Sequence, residues 1–172
     1  MHQFDLNNKL AIITGGAQGF GFDIAKRFIQ SGSKVRIWDI DEKQLKDAND
    51  QINNVNLEYD VVDVSDFNQV KETVEKIAKN NKIDILINSA GITGPTAELW
   101  NYNNDDWLKI IDINNSEIIK DYSIKQSINI AIIGPENPLA YGVADSLWEA
   151  GIGVIGPKKN LAQIETSKSF TR

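Results

Sequence analysis

The sequence contains no cysteine and a single histidine, His2. Disulfides, thiolate nucleophiles and cysteine-based metal sites are thereby excluded, as are multi-histidine metal centres and any histidine-based triad. Basic residues are in deficit: 18 Lys and Arg stand against 24 Asp and Glu, a formal net charge of −6. A partner held through its phosphate backbone needs a basic face, so nucleic acid is not expected. A small anion bound by backbone N–H groups is still compatible with that charge. Long apolar runs are missing too. No stretch reaches the roughly 20 residues that a bilayer requires, and the N-terminus shows no charged-then-apolar leader. The expectation is a soluble, cytoplasmic protein with no membrane partner and no metal.

What is present is a regular alternation. Short apolar runs at Leu10–Thr14, Val35–Trp38, Leu57–Val62, Ile83–Ile87, Ile128–Ile133 and Gly153–Ile155 read as strands. Between them apolar residues recur at helical spacing: Phe20, Ile24, Phe28 and Ile29; then Val70, Val74, Ile77 and Ala78; then Leu139, Val143 and Leu147. Glu42–Ile52 reads as a polar helix, and Asn160–Phe170 as a last helical pattern. Trp107, Leu108, Ile111 and Ile118 mark a further helix, with Asn104 or Asp105 as its cap. The fourth run, Ile83–Ile87, is apolar but for Asp84, as suits a strand covered on both faces. The pattern predicts an α/β, doubly wound parallel sheet of Rossmann type with strand order 3-2-1-4-5-6, and a crevice between strands 1 and 4 where the order reverses.

The first strand runs into "TGGAQGFG". Gly15 permits a tight turn, Gly19 lets backbone approach a pyrophosphate, and Gly21 lets the helix pack closely. The helix N-terminus adds free N–H groups and about half a positive charge. The second strand ends at Asp39, placed to accept both ribose hydroxyls of an adenosine and to repel a 2′-phosphate. That favours NAD over NADP. The plainer role for Asp39 is to end a strand or cap the next helix, which Asp41 can do equally well.

These residues carry a resemblance. Thr14-Gly15-x-x-x-Gly19-x-Gly21, Asp39, Asp63-Val64, Asn88-Ser89-Ala90-Gly91 and Asn114 stand in the order found in the N-terminal half of short-chain dehydrogenases/reductases, over residues 9–114. Ser89 departs from that family's usual Asn-Asn-Ala-Gly. The resemblance implies an NAD site made of Gly15, Gln18, Gly19, Phe20 and Gly21, of Asp39 and Ile40, of Asp63 and Val64 at the adenine, and of Asn88, Ala90 and Gly91 along the crevice. It implies that Asn114 matches an Asn that holds a water in the family's proton relay, the one catalytic position that is matched.

The family moves hydride with a Ser and a Tyr-x-x-x-Lys, where the Lys lowers the Tyr pKa and the phenol transfers the proton. Four residues after Tyr59, Tyr102, Tyr122 and Tyr141 stand Asp63, Asp106, Gln126 and Asp145; none is Lys. Tyr122 and Lys125 are three apart and too close to Asn114 to match. Where the fifth strand should end near the catalytic Ser, it runs into Gly134-Pro135-Glu136.

The stretch from about residue 117 to 172 resembles another family. Gly134-Pro135-Glu136-x-Pro138-Leu139, Gly156-Pro157 and Glu165-x-Ser167-Lys168-x-Phe170 look like the end of the N-terminal domain of phosphoribosylamine–glycine ligase, an ATP-grasp enzyme of purine biosynthesis. That resemblance implies that Gly134-Pro135-Glu136 faces a substrate cleft and that Lys168 approaches ATP phosphates. The ATP-grasp domain and its metal-binding acids are not in the sequence, so ligase catalysis is not expected.

The expected organisation is a chimera: residues 1–114 from a dehydrogenase, 115–172 a βαβ piece of a ligase, together one compact domain. The expected function is that of a truncated, nominal oxidoreductase that binds a dinucleotide with hydride transfer lost. Three alternatives stay open: an oxidoreductase that recruits Glu136 or Tyr141, a non-catalytic scaffold, and a ligase fragment. Whether the chain is an enzyme at all, its substrate, and a homo-oligomeric state are likewise open.

Overall fold

The computed structural model describes residues 5–92, 103, 105–106, 128, 130–133 and 143–156. Six parallel strands form one sheet: β1 (Leu10–Thr14), β2 (Lys34–Asp39), β3 (Leu57–Val61), β4 (Ile85–Asn88), β5 (Ile130–Ile133) and β6 (Gly153–Ile155). Their order is β3-β2-β1-β4-β5-β6, as the alternation of runs predicts. Four helices are described: α1 (Gly19–Gln30), α2 (Glu42–Ile52), α3 (Phe67–Ala78) and α4 (Val143–Glu149).

The period of two along each strand sorts side chains to two faces. Ala11, Ile13, Val35, Ile37, Ile85 and Ile87 pack with Ala25 of α1 and with Leu45 and Ala48 of α2. Leu10, Ile12, Trp38 and Leu86 pack on the opposite face with Val70, Val74 and Ile77 of α3. Both faces are thus covered, and β1 and β4 are buried along their whole length. Complete burial of one such aliphatic side chain stabilises by about 1.5–3 kcal/mol.

The ligase-like strand joins this sheet in register. Ile130 to Ile133 pair with Ile85 to Asn88. Ala131, Ala144, Leu147 and Ile152 make a small cluster of their own, while Ile128 enters the α3-side core and Ile132 packs against the other. Strand pairing and these two isoleucines tie the segment to the rest.

Some boundaries differ from the sequence reading. β4 begins at Ile85, not Ile83, because Asp84 turns its carboxylate onto the start of β1: Leu10 N–H donates to it at 3.2 Å and Lys9 Nζ at 3.3 Å. β5 begins at Ile130, with Ile128 buried ahead of it. Asp105 and Asp106 are helical, and Asp105 N–H donates to Asn103 Oδ1 at 2.7 Å; Asn104, the other expected cap, lies outside the described residues. Trp107, Leu108, Ile111, Ile118, Tyr122, Lys125, Gly134-Pro135-Glu136, Tyr141, Lys168 and the pattern Asn160–Phe170 lie outside the described residues. Among the described residues no helix is long and apolar enough to cross a membrane.

Candidate functional site

The register brings the carboxyl ends of β1, β2 and β4 side by side: Thr14 pairs with Trp38 on one flank and Asn88 on the other. This is the place where the strand order reverses, and ligands of open α/β sheets bind there. Three loops meet at it.

The first is the glycine loop. Gly15 has φ +63°, and a Cβ on it would lie 2.8 Å from Ala90 Cα, so only glycine fits between the two loops. Gly19 has φ +55° and no atom within 4 Å of its Cβ position; it leaves an open cradle before α1. A Cβ on Gly21 would fall 2.2 Å from the Gly15 carbonyl oxygen. Gly21 therefore packs the helix onto the loop itself rather than onto the strands. Gly16, which the spacing of the motif passes over, is equally constrained: its Cβ would meet Ile37 Cβ at 2.6 Å. The doubled glycine in "TGG" is the signal for it.

Helix α1 opens on this cradle without a side-chain cap. By contrast, Asp41 caps α2 by accepting from Gln44 N–H, and Asp66 caps α3 by accepting from Asn68 and Gln69 N–H. The free N–H groups of α1 and its positive end therefore face the cradle unneutralised. Gln18 and Gly19 are exposed there, and Phe20 is 86% exposed.

The second loop follows β2. Since Asp41 serves α2, Asp39 is released from that duty. Its carboxylate folds back to the glycine loop and accepts from Ala17 N–H at 3.4 Å, and from its own loop through Ile40 N–H at 2.8 Å. Ile40 stands 66% exposed beside it. The nearest cation along β2, Arg36, is committed to Glu58 and, at 2.6 Å, to Asp60.

After β3, Asp63 Oδ1 accepts from Ser65 N–H at 2.9 Å and Ser65 Oγ at 2.6 Å, while Asp63 N–H donates to Gln69 Oε1 at 3.1 Å. The side chain of Val64 is buried in the α3-side core.

The third loop follows β4 and is tied to the first by one hydroxyl. Thr14 Oγ1 donates to Asn88 Oδ1 at 3.1 Å and accepts from Ser89 and Ala90 N–H, each at 3.1 Å. Asn88 is buried, Ala90 half-buried and Gly91 exposed. The Thr14 role is not visible in its motif; a polar residue closing an apolar strand is the only hint. Asn114 lies outside the described residues. Twelve of the thirteen expected site residues thus sit at the carboxyl edge of the sheet or on the loops leaving it.

The short chain dehydrogenase family model matches residues 9–120, more than half of the chain. The chain belongs to the short-chain dehydrogenase family. That family binds a nicotinamide dinucleotide. A second model, the phosphoribosylglycinamide synthetase N domain, matches residues 96–165 and overlaps the first at 96–120, so the chain has two parts. Among relatives, the 2-dehydro-3-deoxy-L-rhamnonate dehydrogenase (NAD(+)) of a Sphingomonas species is 32% identical over 170 residues, covering 90% of this chain and 65% of that protein. The phosphoribosylamine–glycine ligase of Methanosarcina barkeri is 54% identical over 56 residues, 33% of this chain and 13% of the ligase. Among solved structures, the closed form of serine dehydrogenase complexed with NADP+ aligns with TM-score 0.65 and 27% identity, over 72% of this chain and 52% of that one. The chain spans about half to two thirds of the length of the dehydrogenases it matches.

Proposed function

We propose that this short-chain dehydrogenase-type protein binds NAD at the edge where β1, β2 and β4 end, and that hydride transfer has been lost. The observation that carries the cofactor choice is Asp39: its carboxylate reaches the glycine loop at Ala17 while Asp41 caps α2 in its place. An adenosine ribose placed there meets an acid, and Arg36, held by Glu58 and Asp60, is not at hand for a 2′-phosphate.

The residues present fit the group. The Gly19 cradle and the uncapped α1 would take the pyrophosphate, Asp39 the ribose, Asp63 and the backbone at Val64 the adenine, and Asn88 to Gly91 the crevice side. When bound, the dinucleotide supplies or accepts the hydride. The proton is the difficulty. No Tyr of this chain has a Lys four residues on, and the stretch after Asn114 carries ligase-like sequence where the family places its Ser and its Tyr-Lys pair. The boundary is proposed near Asn114-Asn115, with 115–172 completing the sheet rather than acting as a ligase.

Calorimetric titration of the purified chain with NADH, NADPH and ATP tests it. NADH binding tighter than NADPH, with no turnover of a broad alcohol and ketone panel, is expected. Absence of NADH binding by folded protein, or turnover at rates ordinary for a dehydrogenase, would overturn it.

A further inference from the structure

Alternation along β2 sends Val35 and Ile37 to the α1 and α2 face of the sheet and Trp38 to the α3 face. Lys34 and Arg36 share the Trp38 face, beside Leu10 and Ile12 of β1, with which they pair. Charged side chains do not join the apolar layer under α3, so the amino end of β2 stays open on that face. A cavity of about 120 Å³ lies there, lined among others by Leu10, Lys34, Arg36, Asn56, Glu58 and Asn81. It is small beside the roughly 300–1,000 Å³ of sites that hold drug-sized ligands.

Its wall holds polar groups that the fold leaves unused. Asn56 is fixed through its backbone: its carbonyl accepts from Val35 N–H at 2.8 Å and its N–H donates to Asn54 Oδ1 at 2.9 Å. Among the described residues its side-chain amide has no partner. Asn81 gives one side-chain N–H to the Ile77 carbonyl at 3.3 Å and keeps the other. The cations differ in the same way. Arg36 is taken by Glu58 and Asp60, and Lys9 and Lys82 by Asp84. Among the described residues Lys34 has no ion-pair partner, and it is the cation left to the cavity. Glu58, the acid of this wall, is already held by Arg36. Leu10 and Val35 make a buried apolar floor, and Val55 in the wall is 97% exposed.

We propose that this cavity binds a short-chain monocarboxylate anion. One ammonium and two spare amide N–H groups suit a group that only accepts hydrogen bonds, which an ionised carboxylate does. Leu10 and Val55 suit a short carbon chain, and the volume admits little more. The strand β1 runs from Leu10 in this cavity to Thr14 at the opposite edge, about 13 Å away. The site is therefore separate from the proposed dinucleotide site and stands without it.

Butyrate titrated into the 15N-labelled full chain is the test. The side-chain amide signals of Asn56 and Asn81 are expected to shift together, with a dissociation constant in the millimolar range, while that of Gln18 at the opposite edge stays in place. Lys34→Gln is expected to weaken butyrate by at least about tenfold, the size of one charged hydrogen bond. Lys46→Gln removes the same charge from α2 and is expected to leave the affinity unchanged. Asn56 and Asn81 signals that do not move, wild-type affinity in Lys34→Gln, or equal weakening by both variants overturns the proposal. Inorganic phosphate that shifts the same signals as tightly as butyrate also overturns it, since charge alone would then be recognised. Should Lys34→Gln not fold, the comparison of butyrate with phosphate on the wild type still decides.

Discussion

Thr14 Oγ1 and Asn88 Oδ1 are 3.1 Å apart, which joins the last residues of β1 and β4 at the point where the strand order reverses. The Thr14 oxygen also accepts two backbone N–H groups of the next loop. Thr14 is fully buried. Thr14→Val keeps the shape and strands those groups, each at a cost of about 1–3 kcal/mol before relaxation. A loss of about 2–4 kcal/mol is expected, seen as a lower urea midpoint at unchanged slope. An unchanged midpoint would show that the junction adds no net stability.

Gly15 and Gly19 both have positive φ but differ in surroundings. Gly19→Ala meets open space, so only the conformational cost of about 1–2 kcal/mol falls on stability. Its methyl group occupies the cradle, and NADH affinity is expected to drop at least about tenfold. Gly15→Ala adds a clash with Ala90 backbone and is expected to cost distinctly more stability. Urea titration and calorimetry on the two variants should separate them; equal losses in both measurements would refute the cradle.

Asp39→Asn preserves the side chain's shape and removes its charge. Charged hydrogen bonds contribute about 1.5–3 kcal/mol, so NADH should bind at least about tenfold more weakly. NADPH should bind more tightly than it does to the wild type, since the repulsion is gone. A NADH to NADPH affinity ratio that does not move would mean that Asp39 does not select the cofactor.

Asp66 carries a pH dependence. The hydrogen bond donated by the Gln69 backbone, helped by those from Asn68 N–H and the Gln69 side chain, holds its carboxyl below the ordinary 3.8 against an opposing desolvation. A carboxylate depressed in the folded state stabilises above its unfolded pKa, and that stabilisation is lost as pH falls through the folded value. Asp66→Ala is therefore expected to melt below the wild type at neutral pH, with the gap closing below about pH 4. A gap of constant size from pH 7 to pH 2 would contradict the assignment.

Sequence alone determined the alternation of strand and helix, the strand order, the glycine loop and the place of Asp39. The reason is local. Strands buried on both faces are apolar without interruption, positive φ calls for glycine, and right-handed crossovers leave few orders to choose from. Its two-part composition was equally legible, because each part keeps its own ordered motifs. Tertiary structure decided what depends on residues far apart in the chain. Thr14 and Asn88 are 74 positions apart, and nothing in either motif says that one hydroxyl will bind the other loop. Gly16 is constrained by Ile37, and β4 starts late because Asp84 is drawn to Leu10. Trp38 Nε1 is left buried without a partner in the core that β2 shares with α3, which no local motif foretells. The pairing of a ligase-like β5 with a dehydrogenase β4 is of the same kind: it comes from backbone hydrogen bonds and from Ile128 and Ile132, which reach cores built by the other part of the chain.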